Sequence, residues 1–232
     1  MSVSVDTVYQ KVLAMANKEQ RGYITPQEFN LLADKAQMEI YNGYFHDFKT
    51  VDLKPKTNIS YGDEMEMLQE KLHPFIASQT ISVPSGQTYF NLTTSIYRIK
   101  NVTCDNLPIV EMSTDEIIYS ENNPLTKATH KRRVFERGIS DSKFNIYPTP
   151  TADIEITLNY YKTPTKPNWN YVVVQGSALY NSTGSVDFSL HKSEEEILVA
   201  KILALSGVVI MKPDVVQYGG GMEAAIKQSQ ND

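Results

Sequence analysis

The residue types that most often perform chemistry are few in this chain and poorly placed for it. His46, His73, His130 and His191 are scattered, and none stands four residues from another, the spacing that sets two imidazoles on one helix face for zinc. The single Cys104 excludes an internal disulfide and a thiolate metal cluster, and fits assembly in a reducing cytoplasm. No Gly-x-Ser-x-Gly elbow marks a serine hydrolase and no Gly-x-Gly-x-x-Gly follows a strand. The triplet Gly219 to Gly221 lacks the Lys-Ser or Lys-Thr of a phosphate-binding loop. No catalytic residue, cofactor or metal is therefore expected, and the chain does not read as an enzyme.

Two charge clusters remain. Glu194, Glu195 and Glu196 precede an apolar run, with Ser193 and Glu196 spaced as a capping box. Carboxylates there oppose the helix dipole, which explains them without catalysis. The second cluster is Lys127, His130, Lys131, Arg132, Arg133 and Arg137. It reads either as a patch for phosphate or an acidic protein surface, or as charges that protect a strand edge, and the edge is the preferred reading. In a strand Arg133 and Arg137 would share one face and Arg132 the other.

With a net charge of −5 and a pI near 5.4, nothing in the overall charge favours nucleic acid or an anionic membrane. Hydrophobic content of 41% and charged content of 21% are those of a folded domain with a sizeable core. The opening "MSVSVDTVYQ" has no basic segment before an apolar run, so no signal peptide is expected. Ile197 to Met211 is shorter than the roughly 20 residues a bilayer needs and contains Lys201, so no membrane span is expected either. It reads as a helix apolar almost all round, which must be covered by a partner or a closely packed second helix.

The elements that would have to position any site fall into three regions. Residues 1–73 read as helical. Thr25, Pro26 and Glu28 start a strong helix, with Phe29, Leu32, Ala33, Ala36, Ile40 and Tyr44 on its core face. On the opposite side Leu31, Met38 and Phe45 recur every seven residues with Tyr41 beside them, a second stripe that predicts either more core or a neighbouring subunit. Lys49 to Gly62 reads as a loop or extended arm before a short helix over Asp63 to Leu72. Residues 74–190 read as short antiparallel strands in a sandwich or barrel, with a helix capped by Ser113 and Glu116 inserted between strands and Trp169 packed on the sandwich. Residues 191–232 return to helix, with Gly207 as a kink or end, Gly219 to Gly221 as a hinge, and Met222 and Ile226 on a docking segment. The expected class is α+β, the N- and C-terminal helices forming a bundle beside the β domain.

Three stretches together, "VYQKVLAMANKEQRGYITPQEFNLLADKAQMEIYNGYF", "FNIYPTPTADIEITLNYYKTPTKPNW" and "VDFSLHKSEEEILVAKILALSGVVIMKPDVVQY", resemble ring proteins of crAss-like, short-tailed phages. These are similar in design to the head-to-tail adaptors called tail tubular protein A. The resemblance implies a virion protein assembled in the host cytoplasm. It would form a dodecameric ring beneath the portal, touching the portal and adjacent tail rings, with genomic DNA passing through without sequence-specific contact. It supplies no catalytic residues and leaves open whether the basic run faces the channel. A different class, a β-sandwich module binding carbohydrate or protein, is also compatible with 14 tyrosines that could offer stacking faces.

Overall fold

The computed structural model describes residues 2–18, 24–53, 59–92, 96–138 and 143–209, with Gly221, Met222, Ala224 and Gln228. In chain order the elements begin with β1 (Ser2–Val3), α1 (Val5–Lys18), α2 (Pro26–Asp52) and α3 (Ile59–Leu72). Then come β2 (Ile76–Val83), β3 (Tyr89–Asn91), β4 (Ile96–Cys104), β5 (Leu107–Glu111), α4 (Thr114–Glu121), β6 (Val134–Arg137), β7 (Lys143–Tyr147) and β8 (Ile154–Lys162). The last are β9 (Tyr171–Val174), β10 (Ser177–Tyr180), β11 (Phe188–His191) and α5 (Glu195–Val209). The chain is α+β and divides into two compact units, Met1–Pro74 with Pro164–Asp232, and Phe75–Thr163.

The continuous unit is a seven-stranded, nearly closed mixed sheet in the order β2-β8-β4-β5-β6-β7-β3. Every pairing is antiparallel except β5 with β6, where α4 supplies the crossover that a parallel pair requires. Asp105 and Asn106 both have positive φ, 49° and 62°, the geometry that closes the β4–β5 hairpin in two residues. Alternation along β8 turns Ile154, Ile156, Leu158 and Tyr160 into the core, where they meet Phe90, Phe135, Phe144 and Ile146.

In the discontinuous unit α2 starts as its sequence dictates. The Thr25 hydroxyl accepts from the Glu28 N–H at 3.3 Å, and the Glu28 carboxylate accepts from the Thr25 N–H at 3.0 Å. The helix does not stop at residue 48. Residues 49–52, expected in a loop or arm, continue it, because Val51 is buried and the Leu53 N–H reaches back to the Lys49 carbonyl at 3.3 Å. Phe29, Ala33, Ala36, Ile40 and Tyr44 are buried as the periodicity requires. Beyond the periodicity, Lys11 of α1 pairs with Glu195 at 2.7 Å and Glu196 at 2.5 Å, and Lys201 of α5 with Glu39 of α2 at 3.4 Å.

Two expectations need correction. Residues 164–190 were to lie in the β domain but belong to the discontinuous unit. The reason is Trp169. Its ring lies 4.2 Å from that of Tyr9 on α1, its N–H donates to Asn30 Oδ1 at 2.8 Å, and its Nε1–H donates to Asp6 at 2.9 Å, so it packs on the helices of its own unit. The cap at Ser193 is also different. His191 Nδ1 accepts the Ser193 N–H at 3.4 Å, a 3₁₀ turn spans Lys192–Glu194, and α5 begins only at Glu195. Glu194 is thereby buried instead of facing solvent at a helix end.

The apolar helix α5 finds its cover inside the chain. Ile197 to Ala200, Ile202 and Leu203 are all buried, and α5 lies against α1 and α2. Gly207 lies within the helix, which runs on to Val209. No described helix is long and apolar enough to cross a membrane.

Candidate functional site

Among the described residues no three His, Cys, Asp or Glu side chains are grouped as a metal ion would need. Burial pushes the Cys104 thiol above its ordinary pKa, aided by Asp105 and only partly opposed by Arg133, so its thiolate is disfavoured at neutral pH.

The basic run does not form one face. Lys127 pairs with Glu121 at 3.1 Å, and the Arg137 guanidinium takes both oxygens of Glu111, at 2.5 and 3.2 Å. Arg132 Nη2 donates to the carbonyls of Leu125, Thr126 and Lys127. Lys131 and His130 are exposed, whereas Arg133 is buried. The expected shared face of Arg133 and Arg137 is lost because β6 starts only at Val134, after a Thr129–Arg132 bridge.

Beside this run, the Glu136 carboxylate accepts from the Thr114 hydroxyl, Asn145 Nδ2 (3.4 Å) and the Tyr147 hydroxyl (3.2 Å). These donors, Thr114 foremost, hold Glu136 below the usual carboxylate range. A depressed folded-state pKa gives stability that is present above the unfolded value of about 4.3 and is lost as pH falls through the folded one. Melts between pH 7 and 2.5 should show Glu136→Gln less stable at neutral pH and converging on the parent protein in acid. Parallel curves across that range would refute the assignment.

Of the four residues expected at a subunit interface, three remain on the outer side of α2. Leu31 is 66% exposed, and Met38 and Phe45 are half-buried. Tyr41 is fully buried, its ring edge-on to that of Phe45 at 5.1 Å, so it belongs to the chain's own core. It stands about 100° round from Ile40 and so on the shoulder of the core face. Met222 is half-buried in a helical stretch that includes Gly221, while Ile226, Gly219 and Gly220 lie outside the described residues.

Sequence reasoning missed the polar residues that clamp 164–190 to α2. Gln37 is fully buried; its Nε2 donates to the Thr165 carbonyl and its Oε1 accepts from the Ser189 N–H, both at 2.9 Å. Asn30 Nδ2 donates to the Trp169 carbonyl at 3.2 Å. Gln37→Leu strands two backbone groups and should lower unfolding free energy by about 2 kcal/mol in urea titration. A change within error would show that water replaces the clamp.

The clamp carries an exposed apolar surface of this unit, the β9–β10 hairpin. Gln175 and Gly176 have φ of 50° and 80° and close it as a two-residue turn, with Ser177 opposite Val174 and Tyr180 opposite Tyr171. Trp169 stacks on Tyr171 and meets Tyr180 at a tilt, each ring 5.8 Å away, and roots it. Beyond the root Val172, Val173, Val174 and Leu179 are all exposed, Val173 at 62%. No charged residue occurs from Pro167 to Val186, a signal visible in the sequence and not used. The arrangement offers uncharged surface. Compared with known families and curated proteins, the chain matches no family model and no curated sequence.

Proposed function

We propose that this chain is a structural virion protein, one subunit of a ring in the portal-proximal head-to-tail connector of a short-tailed phage. In this reading it is not an enzyme, its N- and C-terminal helices pack as a bundle, and twelve copies surround a channel for DNA packaging, retention and ejection. The resemblance of the three quoted stretches supports it. The observation that carries it is the outward apolar surface of the discontinuous unit, Leu31 on α2 and the valines of the hairpin. The α5 helix adds nothing to the case, because the chain covers it. A net charge of −5 suits a wall along which DNA slides.

Native mass measurement with and without the portal tests the reading. A cyclic oligomer is expected in at least one condition. Leu31→Asp, at an exposed position, should melt within about 0.5 kcal/mol of the parent protein and yet reduce assembly. A chain that stays monomeric and leaves the portal bare would overturn the proposal. The binding-module alternative is favoured by one observation, the 77% exposure of Tyr119 on α4, and a glycan-binding screen would reveal it.

A further inference from the structure

The hairpin is built to be stiff, yet neither of its edges is protected. Its register is regular and contains no bulge, proline or charge, three of the devices by which exposed edge strands avoid pairing. A two-stranded ribbon is marginal in isolation. Here the Trp169 stack and the Asn30 clamp hold it in place without covering Val172 to Val174.

In a two-residue hairpin the residues flanking the turn exchange hydrogen bonds, so Val174 bonds with Ser177 and Val172 with Leu179. Val173 on β9 and Ala178 on β10 therefore turn their N–H and C=O groups away from the hairpin, to opposite sides. The sheet holds only these two strands among the described residues.

We propose, resting on the ring reading above, that successive copies join through these edges, β9 of one copy pairing antiparallel with β10 of the next. A second copy fits better than a foreign strand for two reasons. A foreign strand would cover one edge and leave the other exposed, whereas a copy brings the complementary edge and satisfies both with one repeated, head-to-tail contact, which generates a ring where its rotation closes. The segment is also uncharged within a chain of net charge −5, so identical copies meet there without like-charge repulsion, and a polyanion finds no cation to hold. Pairing gives Val172, Val174 and Leu179 lateral neighbours that they lack in the single chain.

The test uses the full chain at increasing concentration. Under conditions in which the wild type assembles, Val173→Cys mixed with Ala178→Cys should cross-link through a short bismaleimide, and neither variant alone should. Cys104 is buried at 3% exposure and stays out of the reaction. Val173→Lys, which places an edge charge at an exposed position, should reduce the ring fraction at least tenfold with unchanged melting. A ring that persists in Val173→Lys and gives no mixed cross-link overturns the edge pairing and leaves the ring standing. Cross-linking of Val173→Cys with itself shows two-fold pairing and overturns the head-to-tail contact. A wild type that remains monomeric at every concentration, both alone and with the portal, overturns the ring reading itself.

Discussion

Lys71→Met should destabilise the discontinuous unit by about 3–5 kcal/mol, a fall in melting temperature on the order of 10 °C. Lys71 on α3 pairs with Glu194 at 2.9 Å, with side-chain exposures of 16% and 2%. Burial, reinforced by Glu194, pushes the nearby Tyr44 hydroxyl far above its usual pKa, so that phenol stays protonated and brings no second negative charge. Methionine keeps the length of the lysine stem and removes only the ammonium, leaving Glu194 buried without its cation. Removing both charges tests the cause: Lys71→Met with Glu194→Leu should recover most of the loss, because two apolar groups carry no desolvation penalty. A single variant that melts within about 1 kcal/mol of the parent protein would show that water reaches Glu194 and that the pair is not structural.

Trp169→Ala should cost a comparable amount, about 3–5 kcal/mol, with a second effect that a simple cavity would not produce. The indole is 2% exposed, lies against Tyr9, Tyr171 and Tyr180, and donates to Asp6. Its loss empties the core beneath the hairpin and frees the hairpin's root, so cleavage near Gln175–Gly176 by a nonspecific protease should accelerate. Trp169→Phe, which keeps an aromatic ring and loses the Asp6 bond, should fall between the two. Because this is the only tryptophan, unfolding is followed by far-UV circular dichroism in urea. Normal hairpin resistance in Trp169→Ala would show that the Asn170 and Asn168 hydrogen bonds hold the root unaided.

What could be read from the sequence was local. The cap of α2, the Asp105–Asn106 turn and the alternation of β8 each depend on residues within a few positions of one another, and each stands as the pattern required. What escaped depended on partners far away in the chain. Gln37 looks like a surface residue until Thr165 and Ser189 arrive to satisfy it, and Glu194 looks like a dipole-facing carboxylate until Lys71 does. Alternation likewise cannot assign a strand to a sheet, so β9 to β11 seemed to continue the run that ends at β8. On the outer stripe of α2, Leu31 is exposed, Met38 and Phe45 are half-buried and Tyr41 is buried, because a helix wheel has shoulders whose burial is set by neighbours of unknown bulk.

The discontinuity of the first unit also has a meaning for how the protein is made. Residues 1–74 leave the ribosome before α5, the helix that α1 and α2 pack against in the folded chain, has been translated. About 120 residues separate α3 from α5, which is roughly 6–24 s of synthesis at ordinary elongation rates. The inserted sheet is contiguous and can complete itself within that interval, while the N-terminal helices keep their apolar faces open. The nascent chain thus carries a timed vulnerability: holdase chaperones should engage it most strongly between completion of α3 and emergence of α5, and release it when Ile197 to Leu203 close the core.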